Sequence, residues 1–161
     1  MLLFYTAYMN YVTYEEFKKM DMRLGLIKFV EPVEGTDKLL RFEIDFGPID
    51  IICDASCREE CTCEDGECVC AQDCTCELPE PPFGKEEYTG RDVRQIVSGV
   101  REFWPDYQEL EGNYGLYILN LEPREIRGVM SHGMLMAVDG IDGKPVFLGP
   151  QGEVEPGSSV R

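Results

Sequence analysis

Residues 38–46 read Lys-Leu-Leu-Arg-Phe-Glu-Ile-Asp-Phe, and this stretch decides the fold class. Apolar and charged side chains alternate along it with a period of two, which is the period of a half-buried strand and not of a helix. The apolar face consists of Leu40, Phe42, Ile44 and Phe46, and the charged face of Arg41, Glu43 and Asp45. The pattern predicts a β-strand with one face in a hydrophobic core.

Similar short segments lie on both sides of this strand. Thr13-Tyr-Glu-Glu16 has the form of a capping box, which predicts a short helix ending near Asp21. Further strands are predicted over 22–30, 92–97 and 114–121, with shorter extended pieces over 128–138, 145–148 and 154–160. Short strands that bend at glycines, with one or two small helices, predict an all-β fold. The expected architecture is a five-stranded OB-fold Greek-key barrel, a type that binds oligonucleotides or oligosaccharides.

Length and charge define the domain organisation. The 161 residues suffice for one domain, and the net charge of -16 argues at first sight against a partner made of phosphates. The acid is concentrated, however, because the stretch from Pro48 to Gly90 carries 12 acidic and two basic residues and all eight cysteines. We therefore predict one domain over 13–161, preceded by an N-terminal extension over 1–12 and interrupted by a cysteine-rich acidic insert over 48–90.

The sequence lacks the signals of membrane insertion and export. It has no apolar run of about 18 residues, so no membrane span is predicted. The apolar first residues have no basic residue before Lys18 and no small-residue cleavage site, which makes them a poor signal peptide. A cytoplasmic protein is expected.

The insert contains three Cys-x-Cys units within sixteen residues. Asp65-Gly66 is a typical two-residue turn, and it predicts a hairpin with the pairs Glu64/Glu67, Cys63/Cys68 and Cys61/Cys70. Sulfurs on one face of such a hairpin are close enough to hold zinc at about 2.3 Å, and the remaining cysteines allow a second site. One or two zinc ions per chain are expected, with the candidate ligands Cys53, Cys57, Cys61, Cys63, Cys68, Cys70, Cys74 and Cys76.

Other interpretations of the insert stay open. Disulfides fit the same hairpin, but a cytosolic chain rarely keeps them, and a segment with few apolar residues needs another source of order. A disordered reactive tract or an iron-sulfur cluster is a further alternative, and cuprous ion or cadmium would also suit thiolate ligands. The insert is expected to project from the barrel and to serve stability, docking, or metal or redox sensing.

Blocks of sequence spread over 13–47 and 91–161 resemble the tRNA-binding domain family. That family includes the beta subunit or appended domain of methionyl-tRNA synthetase and the tRNA-binding module of the endothelial-monocyte-activating polypeptide. The blocks are Phe17-x3-Asp21-x-Arg23-x-Gly25, Asp37-Lys38-Leu39, Arg94-Gln-Ile-Val-Ser-Gly99, Asn120-Leu-Glu-Pro-Arg124-x2-Arg127-Gly128, Ser131-His-Gly-Met-Leu135 and the closing Glu155-Pro-Gly-Ser-Ser-Val-Arg161. Two features depart from the family: Val33-Glu-Gly-Thr36 replaces a His-Pro-Asn-type turn, and the insert is additional.

The resemblance implies a homodimeric OB-fold module that binds tRNA by its shape and delivers it to a partner such as methionyl-tRNA synthetase without catalysis. The residues expected to contact RNA through charge or hydrogen bonds are Lys38, Arg41, Arg94, Ser98, Asn120, Arg124, Arg127 and Ser131. Each has a structural alternative. Arg23 and Arg127 have the carboxylates of Asp21 and Glu125 close by in sequence, and His132, the only histidine, is interpreted as a structural turn residue.

Two other functions are considered beside tRNA binding. A peptide-binding, chaperone-like dimer of the same fold would suit the excess of acid, and a metal-storage or redox-sensing protein would suit the cysteines. The alternating Met130, Met134 and Met136 are interpreted as core or dimer contacts. An enzyme is not expected, because the sequence has no phosphate loop, no paired acid and histidine, and no nucleophile motif.

Overall fold

The fold is antiparallel β-structure with little helix, as predicted. The computed structural model describes residues 11–49 and 90–161 and the backbone of two short strands between them. The helix α1 spans Tyr14–Phe17, and two 3-10 helices span Arg101–Phe103 and Tyr107–Leu110. The strands are β1 Met22–Pro32, β2 Leu40–Pro48, β3 Thr62–Glu64, β4 Glu67–Val69, β5 Arg91–Ser98, β6 Tyr114–Ile118, β7 Arg124–Ile126, β8 Val129–Ser131, β9 Met134–Asp139 and β10 Pro145–Phe147.

A six-stranded sheet forms the body of the molecule, in the order β10-β9-β6-β1-β2-β5. All neighbouring strands in it are antiparallel. The long strand β1 holds the sheet together, because its first half pairs with β6 and its second half with β2. By strand pairing the sheet is open, with β10 and β5 at its edges.

The predicted apolar face of β2 forms the centre of the core. Leu40, Phe42, Ile44 and Phe46 are at most 2% exposed. The predicted charged face differs at one position, since Asp45 is also buried. Its carboxylate accepts hydrogen bonds from the backbone N–H of Gly47 at 2.9 Å and from Arg91 Nε at 2.9 Å, so its charge is compensated inside the fold.

The segment at 157–160 completes the sheet beside the first half of β1. Leu24 N donates to Ser158 O at 2.9 Å and Gly157 N donates to Leu24 O at 2.8 Å. This segment packs against β2 without any side chain between the backbones, because Gly47 and Gly157 face each other and both have positive φ values, +88° and +89°. We call residues 157–160 the C-terminal strap.

The insert leaves and re-enters the sheet at a single point. Ile49 N donates to Gly90 O at 3.0 Å, and next to this bond Pro48 pairs with Arg91. The two inner strands β3 and β4 have the predicted register, with Cys63 opposite Cys68 and Glu64 opposite Glu67. The predictions for the other cysteines, for the rest of 50–89 and for residues 1–10 lie outside the described residues.

Because the insert joins the sheet at a single point, we predict that it is dispensable for folding. Replacing residues 50–89 by Asn-Gly should turn β2 and β5 into a tight hairpin, because that dipeptide favours the two-residue turn that fits between paired residues. We expect a melting temperature, measured by circular dichroism, equal to or above that of the parent, since a shorter loop is easier to close. A glycine-serine linker of the original length is the control. A variant that fails to melt cooperatively would show that the insert contributes to the core.

A second prediction concerns a hydroxyl group in the core. Tyr117 is completely buried, and its hydroxyl has no hydrogen-bond partner among the described residues. Burial raises its pKa well above the ordinary value. Because an unsatisfied buried hydroxyl costs about 1 kcal/mol or more, Tyr117→Phe should stabilise the protein by about 1 kcal/mol in urea unfolding. The matched change Tyr114→Phe removes a hydrogen bond to Val154 O and should act in the opposite direction. Destabilisation by both changes would contradict the prediction.

Candidate nucleic-acid interface

A basic hairpin, residues 124–131, connects β6 to β9. It consists of β7 and β8 joined by the two-residue turn Arg127-Gly128. Both turn residues have positive φ, +54° for Arg127 and +82° for Gly128, which is the requirement of a type I′ turn. The sequence pattern does not predict β7, because arginine is not a typical residue for the first position of this turn.

The basic hairpin is fixed to β5, the edge of the sheet. Ser131 Oγ accepts a hydrogen bond from Val97 N at 3.0 Å and donates to Gly133 O at 3.1 Å. His132 N donates to Gln95 O at 2.9 Å, and the Gln95 side chain donates to Met130 O at 2.7 Å. The hairpin is therefore held in one place relative to the sheet, which is a condition for a binding surface.

A groove of about 220 Å³ lies between the basic hairpin and the end of β5. We call it the hairpin groove. Its apolar wall includes Leu121 and Met134, both of them more than 40% exposed. Three of the predicted RNA-contacting residues line it together, namely Ser98, Arg124 and Ser131. Ser131 is only 4% exposed and its hydroxyl is already engaged, so its evident role is to position the hairpin.

The predicted cations fall into two groups. Arg41 Nε donates to Glu31 at 2.6 Å, and Arg94 forms two hydrogen bonds with Asp92 and one with Leu119 O. These side chains hold the sheet. Arg23 likewise pairs with Asp21, which is the structural role considered for it beside RNA contact. By contrast, Arg124 and Arg127 are exposed and make no side-chain hydrogen bond or ion pair within 11–49 and 90–161. The alternative ion pair between Arg127 and Glu125 does not form either.

The remaining predicted residues lie at the ends of the sheet. Lys38 is exposed in the β1–β2 loop, just before Leu40. Because Leu40 is paired with Ser98, which lines the hairpin groove, Lys38 lies at the same end of the sheet as the groove. Asn120 is engaged on both sides of its amide, accepting from Asp21 N at 2.9 Å and donating to Lys19 O. It therefore ties the end of β6 to the start of β1.

His132 directly follows the basic hairpin. It is 8% exposed, and burial together with the charge of Arg94 lowers its pKa. The imidazole is thus neutral at physiological pH. This fits the structural role predicted for it and leaves the positive charge of the region to the arginines.

The sequence predicts a metal site at the cysteines and no membrane span. No cluster of three or more His, Cys, Asp or Glu side chains suited to a metal occurs in the described part of the chain, which does not include the cysteine side chains. No helix among the described residues is long and apolar enough to cross a membrane.

The second half of the chain matches a known family. Residues 85–159 match the family model described as putative tRNA binding domain. This match includes β5, the basic hairpin and the hairpin groove. The resemblance recognised in the sequence is therefore confirmed over these residues.

Individual relatives support the same assignment. The chain is 31% identical over 150 residues to a methionine--tRNA ligase of Methanosarcina acetivorans, and it spans 15% of the length of that protein. A methionyl-tRNA synthetase-related protein from Pyrococcus horikoshii has a TM-score of 0.62 and 27% identity, covering 95% of this chain and all of its own. The CsaA chaperone protein from Picrophilus torridus shares the fold, with a TM-score of 0.60, 21% identity and coverage of 94% and 100%.

Proposed function

We propose that this chain is a non-catalytic tRNA-binding module of the OB-fold type that presents tRNA to methionyl-tRNA synthetase. The family match and the two methionyl-tRNA synthetase relatives support the class of function. The observation that carries the proposal is the pair Arg124 and Arg127. They are held on a fixed hairpin beside an apolar groove and remain unengaged within the described residues.

The position of the hairpin groove agrees with an OB barrel. OB folds bind nucleic acids on strands two and three and on the loops between strands one and two and strands four and five. If the barrel comprises β1, β2, β5, β6 and β9, Lys38 lies in the first of these loops and the basic hairpin in the second. The hydrogen bonds between Val97 N and Ser131 Oγ and between His132 N and Gln95 O lie where the barrel would close.

The chemistry of the groove suits RNA. Arginine binds phosphate through several charge-assisted hydrogen bonds, and an apolar slot with a hydroxyl at its edge accepts an unpaired base. The conformation of Arg127 gives further support. A non-glycine residue in the left-handed region costs about 1–2 kcal/mol, and here no side-chain hydrogen bond or ion pair within the described residues offsets that cost.

The acidity of the chain does not exclude this function. The insert carries a charge of -10 and leaves the sheet at the Pro48–Arg91 end, whereas Lys38 and the hairpin groove lie at the Leu40–Ser98 end. An extended strand of this length separates the two ends by roughly 25 Å. The Debye length at physiological salt is about 8 Å, so charges at the attachment point of the insert have little influence on the groove through solvent.

The test is the salt dependence of tRNA binding. Filter binding of total tRNA should show log affinity falling linearly with log salt, with a slope of roughly -2 to -3 for contacts by Lys38, Arg124 and Arg127. An affinity that does not respond to salt, or no retention of tRNA at low salt, would refute the proposal.

Peptide binding is the second candidate, and the apolar exposure of the groove favours it. Leu121 and Met134 are 43% and 46% exposed, and an apolar slot of this kind also accepts hydrophobic side chains. Suppression of the aggregation of an unfolded protein by this chain, together with no shift of tRNA in a gel, would favour the peptide-binding function.

For the insert we propose zinc binding by the cysteines, with one or two ions per chain. The observed backbone register places Cys63 opposite Cys68, as a four-cysteine hairpin site requires. Metal analysis of protein purified under reducing conditions should give one or two zinc ions, and the ion of the hairpin site should be lost when Cys63 and Cys68 are both replaced by serine. Full reactivity of all eight thiols after incubation with zinc would exclude both the zinc site and metal storage, and would leave the disulfide and redox alternatives.

A homodimer is proposed as the working assembly. Met134 and Val138 lie on one face of β9, with Val146 opposite Val138 on the edge strand β10, and all three are about half exposed. Of the methionines assigned to core or dimer contacts, Met130 and Met134 are 37% and 46% exposed, which excludes the core and is compatible with a dimer contact. Light scattering of the protein should report twice the chain mass, and Val146→Asp should halve it.

A further inference from the structure

A second cavity lies beside the edge strand β10 and shares no lining residue with the hairpin groove. It has a volume of about 440 Å³, within the range of small-ligand sites. Trp104, Tyr114 and Phe147 form aromatic walls, and Asp142 and Lys144 are its charged residues. We call it the Trp104 pocket.

The Trp104 pocket contains a cation on an aromatic ring. Lys144 Nζ lies 3.6 Å from the centroid of the Trp104 ring, and the ammonium has no carboxylate partner in the described part of the chain. Asp142 instead holds the turn, since its carboxylate accepts a hydrogen bond from Lys144 N at 3.0 Å. Phe147 packs against the same indole at 5.5 Å. One face of the ring is therefore covered by Lys144, which has a flexible side chain.

The hydrogen-bond donor of the Trp104 pocket suits a ligand with acceptor atoms. The donor of the pocket is the ammonium of Lys144, which has no carboxylate partner among the described residues, whereas Trp104 Nε1, also without a partner there, is buried. A ligand that suits this arrangement is planar, apolar on its faces and carries acceptor or anionic groups. An unpaired nucleotide has these properties, since its base stacks on aromatic rings and its phosphate binds cations.

The strengths of the two contacts favour displacement of Lys144 from the Trp104 ring by a base. An exposed cation–π contact is worth about a 2- to 5-fold change in an equilibrium, whereas stacking of a base on an aromatic side chain is worth about 5- to 150-fold. A basic peptide gains nothing comparable, because its own cation would only replace Lys144 and then meet the displaced ammonium. We propose that the Trp104 pocket binds an unpaired nucleotide of the RNA, with the base on Trp104 and the phosphate on Lys144. This inference rests on the proposed function.

The first experiment uses the fluorescence of Trp104, which is the only tryptophan of the chain. Titration with a short single-stranded oligoadenylate should quench it with saturation, and the same oligonucleotide in a duplex with its complement should not. An oligolysine peptide serves as the competing class of ligand. Quenching by the peptide and not by the oligonucleotide would overturn the proposal.

The second experiment uses Lys144→Met, which keeps the length of the side chain and removes the charge. In filter binding of tRNA, the slope of log affinity against log salt should become shallower by about 0.7, the value for one single-strand phosphate contact. Lys18→Met is the matched control, because Lys18 lies over Tyr14 at 5.1 Å in another part of the molecule. This control should leave the slope unchanged.

The outcomes separate the two proposals. Retention of tRNA with an unchanged slope in Lys144→Met, and no change in Trp104 fluorescence, would refute the nucleotide site and leave the proposed function standing. Failure to retain tRNA would refute the proposed function. In that case saturable quenching by oligoadenylate would still support a nucleotide site, and its absence would refute that site as well.

Discussion

Replacing Arg124 by alanine and Arg127 by asparagine should raise the Kd for tRNA by about 100-fold at physiological salt. Each arginine is expected to lose a charge-assisted contact worth about 1.5 kcal/mol. Asparagine is chosen at position 127 because Asn-Gly is the preferred dipeptide of a type I′ turn. The fold should therefore be at least as stable as in the parent, and the measurement is filter binding together with thermal unfolding.

The control for this variant removes the same charge elsewhere. Lys18→Ala combined with Arg161→Asn takes away two exposed basic side chains outside the basic hairpin, and we expect less than a 3-fold change in Kd for them. An equal loss of affinity in both double variants would mean that tRNA senses only the net charge. The hairpin groove would then not be the interface.

Gly157→Ala should destabilise the protein by about 3 kcal/mol, which corresponds to a fall in melting temperature of about 10 °C. The residue has a φ of +89°, and a methyl group there would overlap the carbonyl oxygen of Phe46. Because that oxygen belongs to the backbone of β2, relief requires the C-terminal strap to move away and to lose its hydrogen bonds to Leu24.

Gly112→Ala is the matched control, measured by the same thermal unfolding. Gly112 has a φ of +81°, but no atom lies within 4 Å of the position that a methyl group would take. Its substitution should cost only the conformational term, about 1 kcal/mol. The difference between the two variants isolates the contact of the strap with β2. Equal losses of stability would show that the close approach contributes nothing.

The sequence predicted the parts of the fold that local patterns determine. The alternation in 38–46 predicted the central strand and its buried face, and the capping box at Thr13 forms as expected, with the Thr13 side chain accepting from Glu16 N at 3.2 Å. The helix is shorter than predicted and ends at Phe17, because none of its residues is buried and packing does not extend it. The burial of Asp45 depends on Arg91, which is 46 residues away, and no local pattern contains that information.

The candidate site was predicted in composition but not in arrangement. Ser98, Arg124 and Ser131 do meet at one groove, yet the roles of the predicted residues separate only in three dimensions. Arg41 and Arg94 looked equivalent to Arg124 in sequence, and their ion pairs distinguish them. Asp92, two residues before Arg94, was the available signal, since residues two apart in a strand share a face.

The single attachment point of the insert also has a consequence for the rate of folding. Pairing of β2 with β5 requires closure of a loop of about 40 residues, and the entropy of closure grows with the logarithm of loop length. Compared with a loop of about four residues, this adds about 2 kcal/mol to the formation of the hairpin. If the hairpin forms in the transition state, refolding of the full chain would be up to about 30-fold slower than refolding of a chain with a tight turn.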